Sequence, residues 1–154
     1  MRENAWISYD EAARKELEDL SRRYRAFLDH GKTERECVTE AIRLVEAEGY
    51  ADLQDAIARS RKLLPGDKLY VNTMGKALML FVMGRQPLEK GINIVGSHID
   101  SPRLDLKQNP FYEDGDMAYG DTHYYGGVKK YQWVAHALAL HGVVAKKDGT
   151  VVNV

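Results

Sequence analysis

Ile92-Asn93-Ile94-Val95-Gly96-Ser97-His98-Ile99-Asp100-Ser101-Pro102-Arg103-Leu104 is a short apolar run followed at once by an imidazole and a carboxylate two residues apart. A run such as Ile92 to Val95 fits a strand buried on both faces, as in parallel sheets flanked by helices. In extended backbone the side chains alternate, so His98 and Asp100 share a face. The carboxyl end of such a strand is where open α/β sheets gather ligands. Two readings are then open. A metal-bound histidine commonly has its second ring nitrogen held by a carboxylate, which fixes the tautomer and raises basicity; His98 as ligand and Asp100 as its orienting partner would fill those roles. The alternative is a hydrogen-bonded structural pair.

Working outward, the chain of 154 residues is about one domain long, enough to bury roughly 68–70% of its unfolded surface. Its 44% hydrophobic and 29% charged residues are ordinary for a globular protein. With 22 Lys+Arg against 23 Asp+Glu it lacks the positive surplus that drives contact with phosphate backbones, which argues against nucleic acid as a partner. No apolar run of bilayer length occurs, which argues against a membrane span. The N-terminus lacks the apolar core and small-residue cleavage site of a secretory signal, so a cytoplasmic location is expected. Cys37 is the single cysteine, so neither an intramolecular disulfide nor a thiolate zinc cluster is possible. Any metal must use His, Asp and Glu.

The first 64 residues read as helical. Ser8-Tyr9-Asp10-Glu11 fits a capping box, Leu17, Leu20, Tyr24, Phe27 and Leu28 recur at helical spacing as a core-facing stripe, and Gly31 is placed to end the element. Thr33-Glu34-Arg35-Glu36 repeats the capping pattern for a second helix up to Gly49, and Ala51 to Leu64 forms a third, weaker one. After Pro65-Gly66 the period changes. Lys68 to Asn72 and Ala77 to Met83 flank Thr73-Met74-Gly75-Lys76 as a hairpin. Asn109 to Tyr125 is rich in Asp, Gly and Tyr with little periodicity. Val134 to Ala145 is apolar and β-leaning, Lys147-Asp148-Gly149-Thr150 is a hairpin turn signal, and Val151 to Val154 begins a strand. No phosphate-cradling loop is present.

The stretch Ile94 to Leu104 resembles the first metal-binding motif of the aspartyl aminopeptidase and vacuolar aminopeptidase I family. Asp121-Thr122-His123-Tyr124-Tyr125-Gly126-Gly127, with Lys129-Lys130-Tyr131-Gln132-Trp133 after it, looks like the bacterial version of that family's second landmark. Pro65-Gly66-Asp67-Lys68 and Met83-Gly84 fit the same N-terminal region. The resemblance covers most of the chain and is most specific from Asn93 to Trp133. It implies a cocatalytic two-zinc aminopeptidase acting on peptides, with His98 as a metal ligand and Asp100 as the catalytic-site carboxylate that clamps its imidazole. Cobalt or manganese also suit such ligands. It further implies an α/β fold: N-terminal helices and the first strands of the catalytic domain over residues 1–107, then the start of a β-rich oligomerisation domain over 108–154, in a protein that forms a homo-oligomer. Members of that family are several times longer. The bridging Asp, the general-base Glu and the remaining ligands have no counterpart here, so the chain is expected to be an N-terminal portion, inactive by itself. In eukaryotic relatives a His after the Tyr-Gly-Gly landmark serves a neighbouring subunit; the matching position here is Tyr131.

Other candidates are weaker. His136 and His141, five apart in the Val134–Ala145 segment, would fall on opposite faces of a strand and not share a metal. His123 is expected in a polar loop, and Asp105 as a solvated strand residue. A reading from a different class is a non-catalytic assembly or interaction module, with the helices and the β segment pairing with a partner chain.

Overall fold

The computed structural model describes residues 4–154, a mixed α/β chain that divides into one compact unit running to Ile99 and a second from Asp100 to Val154. The first unit begins with a short helix, α1 (Ala5–Ser8), then α2 (Glu11–His30) and α3 (Glu34–Ala47). A two-residue strand β1 (Ala51–Asp52), helix α4 (Leu53–Ala58) and the hairpin β2 (Lys68–Thr73) and β3 (Ala77–Val82) complete its regular elements, apart from a 3-10 turn at Leu88–Lys90. No helix among the described residues is long and apolar enough to cross a membrane.

The long helix starts two residues later than its capping-box signal suggested. Asp10, not Ser8, is the N-cap: its Oδ1 accepts from the Ala13 amide at 2.8 Å, while the Ser8 hydroxyl donates back to the Ala5 carbonyl and closes α1. Asp caps as well as Ser, and the one nearer the apolar period wins. For α3 the expected box is complete. Thr33 Oγ1 accepts from Glu36 N, and Glu36 Oε2 accepts from Thr33 N at 2.8 Å.

The α2 stripe is only partly covered. Leu17 and Phe27 are half-buried, but Leu20, Leu28 and Tyr24, the last 60% exposed, face outward. The core gathers instead on Cys37 and Val38 of α3, Ala56 of α4, and Leu69 and Tyr70 of β2. Complete burial of a side chain such as Leu69 contributes about 1.5–3 kcal/mol. The third helix of the sequence reading shrinks to α4, because Ala51 and Asp52 pair in parallel with Leu69 and Tyr70, and Asp52 then caps the short helix after them. β2 and β3 pair antiparallel from Lys68↔Val82 to Thr73↔Ala77, as the sequence suggested. Met74 (φ 55°) and Gly75 (φ 68°) make the tight turn, with Asn72 Oδ1 accepting from the Gly75 amide.

Gly31 ends α2 for a reason of space. Its φ of −106° is open to any residue, but a Cβ there would lie 2.7 Å from the Cys37 sulfur and 3.3 Å from the Phe27 carbonyl oxygen. Gly31→Ala should therefore cost about 1–3 kcal/mol through overpacking, and most of that loss should vanish in a Cys37→Ala background. Denaturant midpoints of the four proteins in the cycle check it; an equal cost in both backgrounds would mean that the sulfur is not the obstacle.

Tyr70 ties the sheet to α3. Its hydroxyl donates to Glu46 Oε1 at 2.8 Å, and this bond, then burial, pushes the phenol up to about 12. The folded value lies above that of the unfolded chain, so the associated stability is full below about pH 10 and is lost as pH rises through about 12. Tyr70→Phe should remove this component. Unfolding midpoints measured across that window should fall less steeply for the variant, and parallel curves would refute the coupling.

The second unit is built from two antiparallel hairpins, β4 (Arg103–Asp114) with β5 (Met117–Tyr125), and β6 (Val143–Ala145) with β7 (Val151–Asn153). Gly115 (φ 57°) and Asp116 (φ 61°) form the two-residue turn of the first, as a mirror-image turn requires. The register jumps from Leu106↔Thr122 to Phe111↔Gly120, so four residues of β4 bulge opposite Asp121. Gln108 lies inside this bulge. The apolar stretch from Val134 is irregular until β6; only its end pairs, across the turn that Lys147 to Thr150 foretold.

Candidate functional site

The run Ile92 to Val95 is not a strand. It is irregular chain with Ile94 80% and Val95 99% exposed, and no strand of the described residues pairs with it. A β conformation is stabilised by a neighbour's hydrogen bonds, and apolarity alone does not supply them. His98 and Asp100 therefore sit on the irregular connection between the 3-10 turn and β4, and not at a strand's carboxyl end. His98 is exposed and belongs to the first unit; Asp100 is half-buried and opens the second.

Three residues after Asp100 the chain becomes strand, and the register of that strand decides what stands beside it. Arg103 is paired with Tyr125, Leu104 with Tyr124 and Asp105 with His123. Because β5 runs antiparallel, the Tyr125-Gly126-Gly127 end of the second sequence landmark comes to lie against the chain leaving the first. The Arg103 guanidinium stacks over the Tyr125 ring at 4.5 Å and donates through Nε to Asp105 Oδ1 at 2.7 Å. Gly126 has φ 77°, a conformation that disfavours a side chain, and its missing Cβ would touch Pro102 at 3.4 Å. The motifs meet through Pro102, Arg103, Tyr125 and Gly126.

Paired residues share a face of the hairpin. One face carries Arg103, Asp105 and Tyr112 opposite Tyr125, His123 and Tyr119, with the Tyr112 and Tyr119 rings stacked at 5.2 Å. The other carries Leu104, Leu106 and Phe111 opposite Tyr124, Thr122 and Gly120. His123 is thus a strand residue and not a loop one. Its ring stacks on Tyr124 at 5.6 Å and, with Asp105 and the bulge residues, borders a shallow depression. Lys107 spans the bulge to Asp121 at 2.9 Å, and Lys130 lies over the Tyr124 ring at 4.4 Å. Asp105, expected as a solvated strand residue, is in a strand but half-buried and ion-paired. His136 and His141 are exposed on irregular chain, so the argument from opposite strand faces does not apply to them.

Sequence reasoning missed Arg103, Tyr125 and Gly126 as a group. Asp114-Gly115-Asp116 between aromatic residues was the signal that could have found the hairpin, and with it the pairing. As to a metal, an exposed imidazole and a nearby carboxylate are donors of the right chemistry for zinc. Among the described residues, though, no group of three or more His, Cys, Asp or Glu comes together to hold an ion, and catalytic zinc sites usually take three protein ligands.

Residues 27–153 match the model of a family described as aminopeptidase I zinc metalloprotease (M18). The chain is 56% identical over 151 residues to a probable M18 family aminopeptidase 1 of Clostridium acetobutylicum, covering 98% of this chain and 32% of that protein. Against the protein of the same description in Thermotoga maritima it is 39% identical over 153 residues, covering 99% of this chain and again 32% of the relative. Among solved structures, aminopeptidase I from Borrelia burgdorferi B31 superposes with a TM-score of 0.90 at 35% identity, over 99% of this chain and 37% of that one. Aminopeptidase I from Clostridium acetobutylicum gives 0.82 at 54% identity, over 100% of this chain and 34% of the other. The chain thus spans about a third of the length of the curated relatives it matches.

Proposed function

The chain belongs to the aminopeptidase I zinc metalloprotease family, M18, and from that membership we propose that it contributes part of the catalytic apparatus of a zinc-dependent aminopeptidase that removes N-terminal residues from peptides. The observation that carries the reading is the position of His98-Ile99-Asp100 inside the matched residues 27–153.

In this reading the His98 imidazole supplies one metal ligand from an exposed stretch of chain, and Asp100 holds that imidazole in one tautomer and raises its basicity. Zinc held with the help of His98 would supply Lewis-acid chemistry, polarising a scissile carbonyl and lowering the pKa of a bound water toward neutrality. The other ligands and the proton-shuttling Glu are contributed by residues other than those described. Cobalt or manganese would suit the same donors. The two hairpins of the second unit begin an oligomerisation part of a homo-oligomer. In this proposal residues 1–107 belong to the catalytic part and residues 108–154 begin the oligomerisation part; the chain's own compact units divide at Asp100, and β4 passes through Gln108.

The test is hydrolysis of unblocked and N-acetylated peptides by a full-length protein carrying this chain. A free N-terminal amino acid should appear only from the unblocked peptide, stop on addition of a chelator, and return with zinc. Turnover insensitive to chelators would overturn the metal-dependent reading, and no turnover with any metal would favour the non-catalytic assembly module instead.

A further inference from the structure

We infer that Arg103 is a positioning residue for Asp100: clasped by Asp105 and Tyr125, it fixes the Asp100–Pro102 chain against the Tyr125–Gly126 corner and so holds the Asp100 carboxylate in place. This rests on the proposed role of His98 and Asp100.

Four observations carry it. Asp100, Ser101 and Pro102 belong to no helix or strand, so hydrogen bonds of regular structure do not define their course. Arg103, the first residue of β4, is the point at which that irregular chain becomes fixed. Its side chain is held by an Nε to Oδ1 bond of 2.7 Å to Asp105 and by the guanidinium lying over the ring of Tyr125, its partner across the hairpin, 4.5 Å from the centroid. A planar guanidinium can make both contacts at once; a lysine can keep the charge but not the stacked plane. Immediately before it, Pro102 lies against Gly126, whose positive φ of 77° favours glycine and at which a Cβ would meet Pro102 at ordinary contact distance, 3.4 Å. The Tyr-Gly-Gly landmark thereby acquires a physical role, with Tyr125 as the platform for Arg103 and Gly126 as the seat for Pro102. Removing the carboxylate that holds a metal-bound imidazole typically costs about 10–100-fold in metal affinity or activity, and a residue acting through that carboxylate should cost less.

The experiment titrates zinc into chelator-treated full-length protein carrying this chain, as wild type, Arg103→Met, Arg103→Lys, Tyr125→Leu and His98→Ala, with the melting temperature of each apo protein recorded alongside. Arg103→Met and Tyr125→Leu should each weaken zinc binding by up to about 10-fold, the lower end of what loss of the ligand's direct partner costs, while the apo melting temperature stays near that of the wild type, and Arg103→Lys should recover part of the loss. If Arg103→Met does not fold, Tyr125→Leu and Arg103→Lys carry the same comparison. Wild-type affinity in Arg103→Met and Tyr125→Leu, with His98→Ala impaired, would overturn the positioning role and leave the metal reading standing; so would a loss that only tracks melting. Unchanged affinity in His98→Ala would overturn both.

Discussion

Replacing His98 by alanine in a full-length protein carrying this chain is expected to cut aminopeptidase turnover by well over about 100-fold, more than is typical for loss of a ligand's hydrogen-bonding partner. The expectation follows from the place of His98 in the proposed site, where its imidazole is exposed and therefore accessible to an ion without rearrangement of a packed core. Asp100→Asn should be milder, at about 10–100-fold, because the amide keeps the shape of the carboxylate but loses its charge and half of its accepting capacity. Initial rates with saturating zinc, measured for both variants, separate the two roles. Equal and small losses would reduce His98 and Asp100 to a structural pair. The exposure of His98 also makes a large stability effect of its replacement unexpected, so the melting temperature serves as the control.

The 154-residue chain by itself is expected to release no amino acid from short peptides above a metal-only blank, whether zinc, cobalt or manganese is added. Its described residues do not bring three ligands together, while catalytic zinc usually takes three. Absence of the general base would alone typically cost about 10²–10⁴-fold. Chelator-sensitive release that disappears in His98→Ala would show that a working site can be assembled from other residues of the chain. His123, Asp114, Asp116 and Asp121 would be the first to revisit. Two features of the fold weigh against the three acids. Asp114 and Asp116 sit at the turn, the opposite end of the hairpin from Arg103 and Tyr125, and Asp121 is already paired with Lys107.

The features legible in the sequence were mostly local. The Thr33–Glu36 box, the turn at Met74-Gly75 and the turn at Asp148-Gly149 each depend on residues within a few positions of one another, and each appears where the sequence places it. The failures are those in which a distant partner decides. Ile92 to Val95 has the composition of a buried strand but no strand beside it among the described residues, and it remains irregular and exposed. The α2 stripe is apolar at helical spacing, yet Leu20, Tyr24 and Leu28 are not covered by the described chain. Val134 to Leu140 shows the same thing, with β-leaning residues that form no ladder. Residues 109–125 failed for the opposite reason. Their polar and aromatic composition obscured a hairpin whose stability comes from cross-strand pairs such as Tyr112 with Tyr119 and Lys107 with Asp121.

The site followed the same division. His98 and Asp100 could be singled out because their spacing is local. Arg103, Tyr125 and Gly126 could not be grouped until the register placed Arg103 opposite Tyr125, since that contact joins residues far apart in the chain. Gly31 makes the point in the core: the residue looks like an ordinary helix terminator, and only the packed structure shows the Cys37 sulfur that a Cβ there would crowd at 2.7 Å.

The most direct measurement is the metal content of the full-length protein, purified in zinc-buffered solution and then freed of loosely bound ions. About two zinc ions per chain are expected in the wild type, as for a two-metal centre, and about one fewer in His98→Ala at unchanged fold by circular dichroism. Identical zinc content in the two proteins, or none in either, would contradict the assignment of His98 to the metal site.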